Sequence, residues 1–335
     1  MLKTAEFVSL GHPDKTADFI SEYILDRLID QDSNVKYAVE VMVKSNTVVL
    51  GGEISGHIDL KDIETYIKEA LRQIGYDERY HHIWKENAID ILNLKIINLI
   101  GCQSCEIFQG IENGGWGDQG VFAGYACRGD GLMPRELYLA KKLNHALYRK
   151  ALLSNNLGLD IKTQITLDET GKIQTAIVAI PMLQDENLKP FIEEVLSQSL
   201  QNLIINGTGN YTCHSTVADC GITGRKLACD FYSTTCPVGG GSPWAKDASK
   251  ADVSLNLLAR KLAVQNLGDN DEVFVYLSSC IGRSELPSAT LKTIKNGNIS
   301  WQTLKGDFSP QTVIRELGLR KPVFADLCRR GITAF

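Results

Sequence analysis

The sequence lacks the segments that would place it in a membrane or send it out of the cell. No apolar run approaches the roughly 20 residues needed to cross a bilayer, and the first residues lack the apolar core of a signal peptide. An excess of positive charge is also missing: the formal net charge is -5, which argues against a nucleic-acid-binding protein. We therefore expect a cytoplasmic protein that works with neither membranes nor nucleic acids.

The cysteines lack the pattern of a disulfide framework. Nine cysteines, an odd number, are scattered over 335 residues, and this usage suits a reducing compartment. Only Cys102 and Cys105 lie close together, in Cys102-Gln103-Ser104-Cys105. Without a second close Cys or His pair this is a weak zinc site, and it lacks the strand-to-helix context of a redox motif. Both roles are disfavoured.

Length and periodicity predict a chain built from repeats. A chain of 335 residues is too long for one ordinary core, so two or three domains are expected. A unit of helix, β-hairpin and helix recurs three times, at a spacing of roughly 110 to 125 residues. This pattern predicts an α+β fold of three pseudo-threefold repeated domains, each a β-sheet covered on one face by helices. The expected domains are N-terminal (1–104), central (112–216) and C-terminal (217–335).

The elements of the three units follow from the apolar pattern and the turn residues. The first unit is predicted to contain helix 14–30, strands 35–43 and 47–54, and helix 60–74, ended by Gly75. The second contains helix 133–153, strands 161–167 and 172–180, and helix 188–204. The third contains helix 248–267, strands 272–278 and 289–294, and helix 310–317. The uncovered face of each sheet is a candidate oligomer surface.

Two glycine-rich loops carry the strongest functional signal. The first is Asp-Cys-Gly-Ile-Thr-Gly-Arg-Lys (219–226), and the second is Gly-Gly-Gly-Ser-Pro-Trp-Ala-Lys-Asp (239–247), followed by Lys250 and Asp252. Glycine lets a backbone approach a ligand closely, and the cations lie among carboxylates that could hold a divalent metal. The loops do not fit the Walker A motif, because Lys246 is followed by Asp247 rather than Ser or Thr. A polyphosphate site of another kind is indicated; the alternative is two polar turns with surface lysines.

Two further motifs stand where elements begin or meet. In Gly-His-Pro-Asp-Lys (11–15), His12 and Lys15 flank a helix start, whose free N–H groups attract anions and suit a phosphate leaving group. In Gly-Gly-Trp-Gly-Asp-Gln-Gly (114–120), Asp118 could hold a ligand amine or ribose hydroxyls. The alternatives are an ordinary helix cap and a flexible linker. Collected at element ends, these residues suggest a site between domains.

Taken together and in this order, the four motifs resemble the S-adenosylmethionine synthetase (methionine adenosyltransferase) family over nearly the whole chain. The resemblance implies that the sulfur of methionine attacks C5′ of ATP and displaces the triphosphate, which is hydrolysed to pyrophosphate and phosphate. Two magnesium ions, a potassium ion, and a homodimer or dimer of dimers with shared active sites are also implied. A different thioether or selenoether acceptor, and a non-catalytic nucleotide-binding homologue, remain as alternatives.

The resemblance also assigns roles to individual residues of this chain. It implies these catalytic residues: His12, Lys162, Arg225 and Lys246. It implies these ATP-binding residues, with the tyrosine stacked on adenine: Glu6, His12, Lys162, Asp219, Arg225, Lys226, Lys246, Lys250 and Tyr211. The methionine-binding residues would be Glu53, Gln103, Asp118 and Lys250. Asp14 and Asp252 would bind magnesium, and Glu40 would bind potassium.

The chain departs from the family pattern in four places. Segment 103–114, which closes over the active site in the family, is shorter here, and so is the carboxy-terminal end. Trp116 replaces a small residue, and Ser242-Pro243-Trp244-Ala245 replaces a small, flexible run. We expect the two tryptophans to narrow a small-molecule pocket or to stack on a ligand.

Overall fold

A computed structural model describes residues 2–102 and 114–335, which form three four-stranded β-sheets with helices packed on them. The strands are β1 (Lys3–Val8), β2 (Lys36–Lys44), β3 (Thr47–Ser55), β4 (Lys95–Cys102), β5 (Gly120–Cys127), β6 (Lys162–Leu167), β7 (Ile173–Ala179), β8 (Leu203–Ile205), β9 (Gly221–Ile222), β10 (Glu272–Ser279), β11 (Ser288–Lys295) and β12 (Asn298–Thr303). The helices are α1 (Pro13–Gln31), α2 (Ile63–Ile74), α3 (Glu78–Trp84), α4 (Arg135–Leu152), α5 (Lys189–Leu196), α6 (Ser215–Ala218), α7 (Leu227–Asp230), α8 (Ala251–Gln265), α9 (Pro310–Leu317) and α10 (Phe324–Arg330).

The three sheets are interlocked, because each takes a strand from a distant part of the chain. Their strand orders are β1-β6-β7-β8, β12-β11-β10-β5 and β4-β3-β2-β9. Strand β1 runs antiparallel to β6, β5 to β10, and β9 to β2. Helix α4 packs on the first sheet, α8 on the second and α1 on the third. The predicted α+β fold of three sheet-and-helix units is confirmed, while the exact domain limits stay a prediction.

Local periodicity located one hairpin in each unit and the long helices, but it missed the hairpin of β11 and β12, and one helix prediction was wrong. The predicted helix 188–204 ends at Leu196, because Ser197 adopts a left-handed conformation with φ 53°. The side chain of Gln198 then bonds both the N–H and the C=O of Ile173, at 3.2 and 2.9 Å. Residues 203–205 form β8, which runs parallel to β7. An apolar run this short fits either a helix or a strand, and pairing with β7 decides the outcome.

The buried side chain of Arg260 ties the end of the chain to the second sheet. It lies on α8 and is 2% exposed. Its guanidinium donates to the carbonyls of Tyr125 (2.7 Å), Leu132 (2.9 Å), Gly131 (3.1 Å) and Thr333 (2.8 Å). Burial lowers the pKa of Arg260, so the carbonyl dipoles are what stabilise its charge in place.

Among residues 2–102 and 114–335, no helix combines the length and apolar character required to cross a membrane.

We predict that Arg260→Ala destabilises the protein by about 3–5 kcal/mol, because it leaves buried carbonyls without donors and opens a cavity. Urea unfolding followed by circular dichroism measures this loss. Lys261→Ala is the matched control: Lys261 is the next residue on α8, is only half-buried and donates to Glu316 O at 3.3 Å, so its loss should stay within about 0.5 kcal/mol. Equal losses for the two variants would contradict the role of Arg260.

Candidate active site

The start of α1 presents a neutral histidine. His12 is the N-cap residue, and its Nδ1 accepts a hydrogen bond from the N–H of Asp14 at 3.2 Å. Burial, followed by the nearby charge of Lys226, lowers the pKa of His12 to about 4. The ring is therefore neutral at pH 7 with its proton on Nε2. Nε2–H is a donor at a helix end that already favours anions.

Asp14 is the centre of a buried charge cluster beside this histidine. Its Oδ1 accepts the N–H of Ile222 at 3.0 Å, and its Oδ2 lies 2.5 Å from Lys226 Nζ. The guanidinium of Arg225 lies 3.8 Å from Oδ1. Burial opposes ionisation of Asp14, but the hydrogen bonds from Lys226 and Ile222 hold its pKa below the usual value. The structure thus brings the 11–15 motif and the 219–226 loop together, as predicted.

Further ATP-binding candidates lie near the same cluster. Lys162 lies opposite Val8 in the β1/β6 pair, and its Nζ is 3.0 Å from Glu6 Oε2. The charges of Lys162 and Asp219 both act on the pKa of His12. Tyr211 is half-buried, and burial followed by the charge of Asp160 raises its pKa.

Asp160 is a residue of this cluster that the sequence patterns did not reveal. Its Oδ2 accepts the N–H of Ser215 at 3.0 Å. Burial, then the negative charges of Asp219 and Asp14, raise the pKa of Asp160 to about 7. The available signal was its position two residues before Lys162. A carboxyl with such a pKa beside a cation cluster is a candidate functional group.

The second glycine-rich loop forms a separate group of charges. Lys246 Nζ forms an ion pair with Asp252 Oδ2, and Asp252 lies in the first turn of α8. A Cβ on Gly241 would lie 2.0 Å from Asp252 Cγ, so only glycine fits there. The N–H of Gly240 donates to Val121 O at 2.9 Å, which places the loop against the start of β5.

The methionine-side candidates lie with this second group. Asp118 stands three residues before Val121, and its Oδ1 accepts the N–H of Gln119 at 2.7 Å. Glu53 is opposite Ala38 in the β2/β3 pair, and Ala38 forms a β-bridge to Lys246 on its other side. Lys250 is the N-cap residue of α8. Gln103 lies outside the described residues, as do Cys105 and nearly all of segment 103–114.

The charged candidates of one protomer fall into two groups. The first contains Glu6, His12, Asp14, Asp160, Lys162, Tyr211, Asp219, Arg225 and Lys226, and the second contains Glu53, Asp118, Lys246, Lys250 and Asp252. Among residues 2–102 and 114–335, no side-chain hydrogen bond or ion pair connects a member of one group to a member of the other. Each group supplies one of the two predicted magnesium ligands.

Metal binding by one protomer would rest on few ligands. In the described part of the chain, no cluster of three or more His, Cys, Asp or Glu side chains could hold an ion. Asp14 and Asp252 each hold a lysine instead. Glu40 accepts a hydrogen bond from the hydroxyl of Thr223. This donor set fits magnesium, which is commonly held by one or two carboxylates together with substrate phosphates and water.

The two tryptophans are core residues, so the expectation that they stack on a ligand was wrong. Trp116 is 0% exposed, and its backbone N–H donates to Arg283 O at 2.9 Å. Trp244 is 2% exposed; its Nε1–H donates to Asp230 Oδ2 at 2.8 Å, and Lys15 Nζ lies 4.7 Å from its ring centroid. Both rings fill space between elements, where bulk stabilises packing.

A neutral donor at a helix start, two cation-bearing glycine loops and isolated carboxylates that could bind a metal define the class as an enzyme that acts on a nucleotide polyphosphate. Comparison with known proteins identifies the family. The chain matches the family models of the S-adenosylmethionine synthetase N-terminal domain over residues 1–105, the central domain over 113–218 and the C-terminal domain over 213–334. The chain belongs to the S-adenosylmethionine synthetase family.

Individual relatives agree over almost their whole length. The S-adenosylmethionine synthase of Mycoplasma capricolum is 32% identical over 98% of this chain and 92% of its own. That of Paramagnetospirillum magneticum is also 32% identical, with the same coverage. Among solved structures, "an Unusual S-adenosylmethionine synthetase from Campylobacter jejuni" is similar with a TM-score of 0.87 and 29% identity, over 100% of this chain and 95% of that one.

We predict that Asp160→Asn stabilises the ligand-free protein relative to wild type by an amount that grows with pH. The pKa of Asp160 is raised from 3.8 to about 7. The contribution of its protonated carboxyl to the free energy of unfolding is therefore complete below pH 4 and is lost as the pH rises through 7. Asparagine keeps an acceptor for Ser215 but cannot ionise. The stability difference between variant and wild type should therefore increase by more than about 1 kcal/mol from pH 5 to pH 8.

Thermal unfolding at the two pH values measures this difference. The control is Asp168→Asn in the β6–β7 turn, where hydrogen bonds from Thr170 and Lys172 lower the pKa of an exposed carboxyl. Its effect should not change between pH 5 and pH 8. A difference for Asp160→Asn that is equally flat would show that Asp160 is ionised throughout this range.

Proposed function

We propose that this protein is a methionine adenosyltransferase, which makes S-adenosylmethionine from ATP and L-methionine and hydrolyses the triphosphate to pyrophosphate and phosphate. The observation that carries the proposal is the cluster of His12, Asp14 and Lys226 at the start of α1, in a chain of the S-adenosylmethionine synthetase family. This cluster combines a neutral donor, a metal-competent carboxylate and a cation, as the departure of a polyphosphate requires.

The reaction sets clear demands on the protein. A neutral thioether sulfur becomes a sulfonium while the C5′–O bond breaks and the triphosphate leaves with the bonding electrons. The protein must orient an in-line attack and stabilise negative charge on the leaving oxygen. In this proposal His12 Nε2–H donates to that oxygen. The triphosphate clamp consists of Lys162, Arg225, Lys226 and Lys246, with Lys250 nearby.

ATP and methionine are proposed to bind between the two groups of charges. Glu6, Asp219 and Tyr211 would contact adenosine, with the tyrosine ring against adenine. Glu53, Gln103, Asp118 and Lys250 would bind methionine. The support for this division is positional: the first three residues surround the His12 cluster, whereas Glu53 and Asp118 lie with the Lys246 loop.

Magnesium at Asp14 and at Asp252, and potassium at Glu40, complete the proposed site. When bound, magnesium neutralises charge on the phosphates. Each magnesium ligand now pairs with a lysine of the clamp. A metal-loaded nucleotide can therefore take both partners, with the metal on the carboxylate and a phosphate oxygen on the lysine.

A homodimer, or a dimer of dimers, is proposed to combine the two groups across subunits. Helices cover one face of the third sheet, and its other face exposes Met42 (41%) and Leu99 (64%). Large apolar side chains exposed on a sheet face mark a candidate interface. Light scattering that shows only monomers would contradict the proposal. We also propose a cytoplasmic location, because the scattered, odd number of cysteines suits a reducing compartment.

The alternative of a different thioether or selenoether acceptor loses its motivation, because both tryptophans are buried in the core. The reaction itself is tested by incubating the protein with ATP, methionine, magnesium and potassium, and by following the products with mass spectrometry. S-adenosylmethionine and pyrophosphate should appear in equal amounts. No consumption of ATP would contradict the proposed function.

We predict that His12→Asn slows adenosyl transfer by a factor of about 10²–10⁴, because the leaving oxygen loses its donor. ATP binding, measured by calorimetry, should remain within about threefold. His57→Asn is the control, since His57 is exposed and outside the site, and its turnover should equal that of wild type. Loss of ATP binding with unchanged turnover would contradict the role of His12.

A further inference from the structure

One buried face of α1 carries four acids in register. Asp14, Asp18, Glu22 and Asp26 are spaced four residues apart, so they share a stripe of the helix. All four are buried. Each accepts backbone N–H groups from a segment more than 190 residues away in sequence. The chemistry proposed above uses only the first of them.

Asp18 and Glu22 each hold the residue directly before a cation of the triphosphate clamp. The N–H of Gly224, which precedes Arg225, donates to Asp18 Oδ1 at 2.8 Å. The N–H of Ala245, which precedes Lys246, donates to Glu22 Oε1 at 2.5 Å. The two carboxylates stand about 6 Å apart along the helix axis, so one rigid helix fixes both loops.

Both held residues have a left-handed backbone. Gly224 has φ 75° and Ala245 has φ 70°. Glycine adopts this conformation freely, but in alanine the Cβ atom makes it strained. Ala245 therefore needs a partner that fixes its backbone, and the carboxyl of Glu22 is the side chain that bonds its N–H. Strain of this kind persists only where the surroundings hold it.

We propose that Asp18 and Glu22 are positioning residues that aim Arg225 and Lys246 at bound triphosphate, each in the site to which its group of charges contributes, and that α1 thereby fixes both cation-bearing loops. This inference rests on the proposed function, because it presupposes that Arg225 and Lys246 bind phosphate. Neither acid touches the substrate. Each acts through a backbone hydrogen bond to the residue before the cation.

The two acids differ in their charge environment. Asp18 Oδ2 lies 3.1 Å from Lys15 Nζ, which also binds Asp230. Glu22 Oε2 has no hydrogen-bond partner among the described residues, and burial raises the pKa of Glu22 well above its usual value. Glutamine should therefore replace Glu22 as an acceptor. Asp18→Asn, in contrast, also removes the negative charge that forms an ion pair with Lys15.

The first test measures kcat and KM for Glu22→Ala and Glu22→Gln in the full-length protein. Glu22→Ala should lower kcat by at least about tenfold, because a misaimed lysine weakens stabilisation of the transition state. The KM for methionine should change little. Glu22→Gln should keep kcat within about threefold of wild type. If Glu22→Ala does not fold, Glu22→Met, which fills the space without an oxygen acceptor, takes its place.

The second test restores the backbone without the carboxyl. Glycine needs no support at φ 70°, so adding Ala245→Gly to Glu22→Ala should recover most of the lost kcat. Asp26→Ala is the matched control: Asp26 lies on the same face of α1 but holds Phe324 and Ala325 at 2.9 Å, which precede no cation of the clamp. It should lower the unfolding temperature and leave kcat unchanged.

Three results would overturn the inference: wild-type kcat for Glu22→Ala, an equal loss of kcat for Asp26→Ala, or no recovery on adding Ala245→Gly. Failure of the proposed function gives a different result, since wild type itself would then make no S-adenosylmethionine.

Discussion

Buried carboxylates on α1 accept hydrogen bonds from backbone N–H groups that are distant in sequence. The arrangement of the candidate active site depends on these hydrogen bonds. A buried acid without a donor is costly, and a loop N–H without an acceptor is equally so. Asp14, Asp18 and Glu22 satisfy both needs at once by bonding Ile222, Gly224 and Ala245. The helix that begins at His12 thereby sets where two cation-bearing loops can lie.

The interlocked sheets bring those loops to α1. The two-residue strand β9 pairs with β2, with Ile222 opposite Met42 and Gly221 opposite Val43. The next residue, Thr223, bonds Val41 O and the carboxylate of Glu40. The pairing of β9 with β2 thus places Thr223 beside Glu40, although the two residues are 183 positions apart in the sequence. The methionine-side candidate Asp118 lies with the Lys246 loop, and we propose that this second group meets the His12 group of another copy of the chain.

Sequence patterns predicted the parts of the fold that short-range contacts determine. Hairpins 36–44 with 47–55 and 162–167 with 173–179 follow from alternation, and α1 follows from its apolar stripe. Strands β1, β5 and β9 were missed, because their partners are remote and β9 is too short to show a period. The helix predicted over 188–204 was wrong for the same reason, since pairing with β7 turned its last residues into a strand.

The site was predictable where several residue types combine in one motif. His12, Asp14, Arg225 and Lys226 were named from motifs and do lie together. Asp18 and Glu22 were missed, because acids at every fourth position on a helix are more often a solvated face than a buried one. Trp244 was misjudged because a bulky residue beside a glycine loop looks like part of a pocket wall, whereas it packs beneath Lys15.

The most direct test of a shared active site is activity in hybrid oligomers. His12→Asn damages the first group of charges and Asp118→Asn damages the second, so each variant alone should be inactive. The two variants carry different affinity tags and assemble at equal ratio. Each hybrid dimer, which contains one subunit of each variant, then has one intact site. About a quarter of wild-type turnover should therefore return in a twofold-symmetric assembly. Tagged hybrids that form but show no activity above the parent variants would place each site within one subunit and contradict the account.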